Sequence, residues 1–223
     1  MKASVRKFLP GAFAALVVGV LACNQDDASV DAGKSIEISA DLAGRTTDFA
    51  FDFFKNLKAT QPADQNVFVS PLSLHIALGM LLNGAEGATA AELRKGLKVD
   101  DIAADELNRN YKALIDGLPL VDPKVTLGLA NSVLFKNTFL VETNFLDVLR
   151  TSFDAEVTGL EFNDAAKNRI NAWASDKTHG RIPKVIDEIR PSEVMFLLNA
   201  LYFKGDWQAR FDAENTKDKP FFL

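Results

Sequence analysis

The densest apolar block of the chain runs from Val194 to Phe203 and is interrupted only by Asn199 and the Tyr202 hydroxyl. It is rich in strand-favouring side chains and bracketed by Pro191 and Gly205, so Glu193–Trp207 reads as a strand buried on both faces. About fourteen residues at roughly 3.3 Å each would span on the order of 45 Å, which calls for a large sheet. Asn199 is the one amide in the run. An unpartnered buried amide costs about 1–3 kcal/mol, so neighbouring groups must bond it, and Asn199 is a candidate polar junction.

The rest of the chain divides by period. Leu42, Phe49, Ala50, Phe53, Phe54 and Leu57 follow helical spacing, predicting an amphipathic helix over 41–58 with Asp41 as its N-cap. Asn66–Val69 reads as a short strand leading into Ser70-Pro71, a serine cap with proline at the first helical position. The helix that follows, Leu72–Leu82, is apolar nearly all round and must be buried. Asn83-Gly84 ends it, and Thr89-Ala90-Ala91-Glu92 reads as a capping box opening a short helix to Lys95 that Gly96 closes. Further on, the pattern predicts helices over 105–115 and 144–153, a loop over 119–123, a long strand over 125–135 and a shorter strand over 155–162. Asn163-Asp164 opens another helix, with Ala166, Ile170, Trp173 and Ala174 as its apolar stripe and Gly180 as its stop.

The N-terminus changes the picture. Lys2, Arg6 and Lys7 precede an apolar stretch over 12–22, too short to span a bilayer but of signal-peptide length. Cys23, the only cysteine, follows Val20-Leu21-Ala22 directly and resembles a lipobox cysteine, lipidated as the first residue of a mature lipoprotein. An ordinary secretory signal that leaves Cys23 as a free thiol is the other reading. The organisation expected is therefore a signal peptide over 1–22, a flexible tether over 23–38 and a folded portion over 39–223. Either way the chain is expected to be exported, as an outer-membrane or cell-surface lipoprotein or else a periplasmic or extracellular protein. The lipid on Cys23 would be its only contact with a membrane.

Charge and motifs narrow the function. The whole chain carries 25 basic and 30 acidic residues; without the three bases of residues 1–22 it has 22 against 30, a net charge of −8. With no basic cluster, nucleic acid is not an expected partner. The chain has no G-x-S-x-G elbow, no H-E-x-x-H and no phosphate-binding glycine loop, and its one Ser-x-x-Lys, Ser4–Lys7, lies in the signal segment, so an enzyme is not expected. His75 reads as a packed neutral imidazole and His179 as a helix C-terminal cap, neither with metal-ligand spacing. The paired acids Asp26-Asp27 and Asp100-Asp101 read as solvated, and no cofactor or metal is expected.

Four segments in one order resemble the serpin family of serine protease inhibitors, and the likeness extends over about 39–223. They are NVFVSPLSL (66–74), GAEGATAAELRKG (84–96), LANSVLF (129–135) and NALYFKGDW (199–207). The resemblance implies an α+β serpin fold, a multi-helix N-terminal region packed on a large central β-sheet, with the C-terminal part missing. It makes the 193–207 strand the third of that sheet and lays the 164–178 helix across the sheet's face. It assigns Ser70, Pro71, Ser73 and Asn199 to the shutter, a polar cluster beneath the point where the sheet opens. Lys204, Gly205 and Trp207 fall at the breach, where insertion begins.

The resemblance implies a kinetic mechanism. A protease cleaves an exposed reactive loop, and the loop then inserts into the central sheet beside the 194–207 strand, distorting the tethered enzyme. Serine proteases, and cysteine proteases as a second class, are the implied partners. The reactive loop, the strand across the gap and the histidine that completes the shutter belong to the part expected to be missing. A non-inhibitory surface lipoprotein, serving as a binding module on the same scaffold, is the alternative.

Overall fold

The computed structural model describes residues 35–62, 64–207 and 209–220. Cys23, the segment read as a signal peptide and the Asp26-Asp27 pair lie outside the described residues. The order of elements is α1 (Ala40–Thr60), α2 (Pro71–Leu82), α3 (Gly87–Leu97), α4 (Ala104–Gly117), β1 (Val125–Lys136), α5 (Thr143–Phe153), β2 (Ala155–Leu160), α6 (Asp164–Lys177) and β3 (Met195–Gly205). The strands form one sheet in the order β2-β1-β3, parallel between β1 and β2 and antiparallel between β1 and β3.

The helical layer and the sheet share one core. Leu42 and Phe49 from α1, Ile76 and Met80 from α2, Leu97 from α3, Leu107 and Tyr111 from α4 and Leu149 and Phe153 from α5 close on Val133 of β1. Alternation along β1 decides which side chains reach this core: Leu129 and Val133 point into it, while their neighbours serve the opposite face. On β3, Met195 and Leu197 pack against the same core. The opposite face is occupied by α6 and the strand that leads into it, where Phe196 meets Phe162 at 5.5 Å and Tyr202 meets His179 at 4.3 Å between ring centroids.

Several local expectations are corrected. The N-cap of α1 is Ser39, whose Oγ accepts from the Leu42 N–H, while Asp41 pairs instead with Arg45 one turn on at 2.8 Å. The Thr89–Glu92 capping box does not form. The Ala90 N–H already donates to the Glu86 carbonyl, so the first turn of α3 is closed before Thr89 could cap it. Gly96 does not stop α3 either: burial of Leu97 carries the helix one residue further, and Lys98 takes the left-handed turn at φ 61°. Asp101 is not merely solvated, since the Arg45 guanidinium holds both its oxygens at 2.6 and 3.0 Å. Asn66–Val69 is irregular backbone, because no strand among the described residues offers it a ladder, and the Phe68 side chain stands fully in solvent.

The central strand is shorter and more open than its composition predicts. β3 has eleven residues; only Ala200 is buried, and Phe203, Lys204 and Gly205 are exposed. The reason lies at its edge. β3 is bonded to β1 along its whole length, but no described residue pairs with its other side, so the side chains that a second neighbour would cover stay half open.

α6 starts and stops as its sequence predicts. Asn163 Oδ1 accepts from the N–H groups of Ala165 and Ala166, and the helix ends in a left-handed pair, His179 at φ 50° and Gly180 at φ +76°. His179 therefore turns the chain out of the helix, and its ring leans on Tyr202. Trp173 is half-buried, while Ala166, Ile170 and Ala174 carry the buried stripe. Ile36, in the segment read as tether, lies close against Gly117.

Candidate functional site

Serine followed by proline fixes where α2 begins. Pro71 occupies the first turn, where its missing N–H goes unused, and the Ser70 Oγ accepts from the Ser73 N–H at 3.2 Å. Ser70, Pro71 and Ser73 are half-buried, and the run of apolar side chains after them seats α2 directly behind β3.

Asn199 sits in the middle of β3, directly opposite Asn131 of β1. Its Nδ2 donates to Asn131 Oδ1 at 2.7 Å, and Asn131 Nδ2 donates in turn to the Phe153 carbonyl at 2.7 Å, the last residue of α5. An amide chain thus runs from the open strand through the sheet to the helix behind it. Asn131 is only 2% exposed, and the Oδ1 of Asn199 is buried without a described donor. Sequence reasoning singled out Asn199 but missed Asn131 as its partner. Two asparagines on the same face of two apolar strands are the signal that marks such a pair.

The other residues of interest gather at the C-terminal end of β3. Ser70 and Pro71 line a groove of about 910 Å³ together with Phe68, Arg181, Phe203 and Lys204. The groove brings the capped start of α2, the turn after α6 and the open end of β3 to one place. Lys204 stands opposite Thr126 and Gly205 opposite Val125, while Trp207 lies two residues beyond the strand, 70% exposed, with its ring edge-on to Phe211 at 5.4 Å. Ser70, Pro71 and Lys204 therefore share the groove; Asn199 is bonded within the sheet, and no described hydrogen bond joins it to Ser70 or Ser73.

Behind this region lies a buried polar contact of a different kind. His75 of α2 is 1% exposed; its Nε2–H donates to the Leu97 carbonyl at 3.2 Å, and its Nδ1 accepts from the Tyr111 hydroxyl at 2.9 Å. Burial holds the His75 imidazole below its ordinary pKa, partly opposed by the bond to Leu97, and burial pushes the Tyr111 phenol well above its own. Both groups are neutral at physiological pH.

Nothing in this arrangement is a catalytic constellation. Among the described residues no group of three His, Cys, Asp or Glu side chains could hold a metal ion, and no helix is long and apolar enough to cross a membrane. What the geometry offers is a strand with one free edge, a polar chain beneath it and a groove at its end.

The comparisons with known proteins agree with that architecture. The family description Serpin (serine protease inhibitor) matches residues 44–223, and the chain belongs to the serpin family. It is 36% identical over 188 residues to the leukocyte elastase inhibitor of Xenopus laevis, covering 82% of this chain and 49% of that protein. Among solved structures, the latent state of the thermophilic serpin tengpin superposes with a TM-score of 0.74 at 31% identity, covering 81% of this chain and 48% of the other. Human thyroxine-binding globulin superposes with a TM-score of 0.73 at 29% identity, covering 82% and 50%. The chain thus spans about half the length of the relatives it matches. Its helices and sheet are those of a partial serpin fold.

Proposed function

We propose that the whole protein inhibits serine endopeptidases by reactive-loop cleavage followed by insertion of the cleaved loop into the central sheet. What supports this reading is the Serpin match over residues 44–223 together with β3, eleven residues bonded to β1 on one side and without a partner among the described residues on the other. An inserted strand would gain main-chain hydrogen bonds along that edge, and this gain is the driving force that drags a tethered protease from its working geometry. The leukocyte elastase inhibitors among its relatives support a serine protease as the target; cysteine proteases form the second target class.

In this reading the residues near the gap control conformation. Ser70, Pro71, Ser73 and Asn199 act as a shutter that holds β3 to the helices behind it, and Lys204, Gly205 and Trp207 form the breach where the incoming strand first pairs. The reactive loop lies outside the chain described. Cys23 anchors the exported protein to a membrane through a lipid, and the inhibitor acts at the cell surface.

The test is direct. The protein expressed from its complete reading frame is incubated with chymotrypsin-type and elastase-type proteases and run on a denaturing gel. A band resistant to SDS, at the summed mass of protease and inhibitor, is expected. Cleavage of the protein with the protease left fully active would overturn the inhibitory reading.

A non-inhibitory binding role on the same scaffold is the second reading. The observation favouring it is the likeness to human thyroxine-binding globulin, by its name a binding protein. It predicts cleavage without complex formation and without loss of protease activity.

A further inference from the structure

α2, α3 and α4 meet at His75. The imidazole is enclosed, and both ring nitrogens are engaged, Nε2–H with the Leu97 carbonyl that ends α3 and Nδ1 with the Tyr111 hydroxyl of α4. Phe49 of α1 closes one side, its ring centroid 4.9 Å away and nearly perpendicular, and Phe153 of α5 packs on the far side of Tyr111 at 5.1 Å. With the Tyr111 hydroxyl donating to Nδ1, the ring is the neutral Nε2–H tautomer.

The charged surroundings of this ring offer nothing to a cation. α2 carries no charged side chain besides His75 itself. On α1 Asp48 and Asp52 are exposed, and Asp52 is bound to Lys98 at 2.7 Å; on α3 Glu92 and Lys95 are exposed and Arg94 donates to the Val99 and Ile102 carbonyls. On α4, Arg109 is exposed and Lys112 pairs with Asp116, leaving Tyr111 as the group facing the ring. On α5 the charges, Asp147 and Arg150, pair with each other at 2.9 Å and are exposed.

We propose that the His75–Tyr111 contact is an acid-sensitive lock on the helical layer behind β3. Both ring hydrogen bonds can survive protonation, since Nε2–H keeps the Leu97 carbonyl. The Tyr111 hydroxyl also lies 3.3 Å from the His75 carbonyl, so it can turn its hydrogen there and accept from a protonated Nδ1. The uncompensated charge, however, remains in an apolar enclosure with no carboxylate facing it, and opening the layer is the way to solvate it. Because α2 packs behind β3 and its first turn contributes to the groove at the strand's end, release of the lock loosens the support of the open strand. The depressed folded-state pKa sets the sign: stability is complete above the ordinary histidine pKa of about 6.5, and falls as pH drops towards the folded value. Over that window each pH unit lowers the folding equilibrium constant about tenfold.

The experiment uses the full-length protein and does not depend on inhibitory activity. Equilibrium unfolding between pH 8 and pH 5 is compared for wild type and His75→Gln. Glutamine keeps a donor for Leu97 and an acceptor for Tyr111 without titrating. Below about pH 6.5 the wild type is expected to take up about one more proton on unfolding than His75→Gln. Equal pH slopes for wild type and His75→Gln would overturn the proposal. Should His75→Gln not fold, ring nitrogen NMR of the wild type decides. The Nε2–H tautomer persisting through pH 6.5 is expected, and a ring that protonates near 6.5 with the fold intact contradicts the lock.

Discussion

Asn131 and Asn199 stand opposite each other on neighbouring strands, and their side chains form one hydrogen-bonded chain that ends on the Phe153 carbonyl. Replacing Asn131 with alanine leaves both the Asn199 Nδ2 and the Phe153 carbonyl without partners in a buried place. We expect a loss of about 2–4 kcal/mol for Asn131→Ala and about 1–2 kcal/mol for Asn199→Ala. In a double-mutant cycle by urea unfolding, the two should couple by about 1 kcal/mol, and additive losses would break the link between them.

Gly79 of α2 faces the Tyr111 ring, and a Cβ placed there would lie 2.5 Å from the ring's Cζ. In an exposed helix interior, alanine would be favoured over glycine by about 1 kcal/mol. Here the ring is fully buried and cannot step aside, so overpacking at about 1–3 kcal/mol decides the sign. Gly79→Ala is expected to lower stability, and to cost less in a Tyr111→Leu background than in the wild type. A more stable Gly79→Ala single variant would show that α2 and α4 can separate freely.

How much of this was legible in the sequence depends on how local the cause is. The Ser70-Pro71 start of α2 and the Asn163 cap of α6 were legible because each is decided within four residues. The cap of α1 was misplaced by two residues. Ser39 is drawn into position by a long-range bond, its N–H donating to Asn110 Oδ1 across the core, and no local pattern reports that. Likewise Gly96 looked like a stop, but burial of Leu97 overrode it. In the site, Asn199 stood out as a lone amide in an apolar run, whereas Asn131 and His75–Tyr111 became significant only once the register and the helix packing were known.

Ser70→Ala removes the acceptor for the Ser73 N–H at a half-buried helix start. A loss of about 1 kcal/mol is expected, with Ser70→Asp close to wild type because aspartate restores the cap. Thermal unfolding checks both. If Ser70→Asp proves as damaging as alanine, the serine hydroxyl serves something besides the cap.

Asn171 of α6 holds the connection to β3. Its Oδ1 accepts from the Val185 and Ile186 N–H groups at 2.8 and 3.0 Å, and its Nδ2 donates to the Ile186 carbonyl at 2.9 Å. In Asn171→Ala, hydrogen exchange at those two amides is expected to speed up at least about tenfold, since a lost bond of about 1.4 kcal/mol is a factor of ten. Unchanged protection would mean that the connection is held elsewhere.

The central claim is that the free edge of β3 receives a strand, and hydrogen exchange on that strand tests it most directly. In the protein from its complete reading frame, the amides of Met195–Gly205 that do not bond to β1 are followed before and after cleavage by a serine protease. The account predicts that cutting the loop raises the protection of these amides well above its level in the uncut protein. Exchange left unchanged by a cleavage that is complete would contradict it.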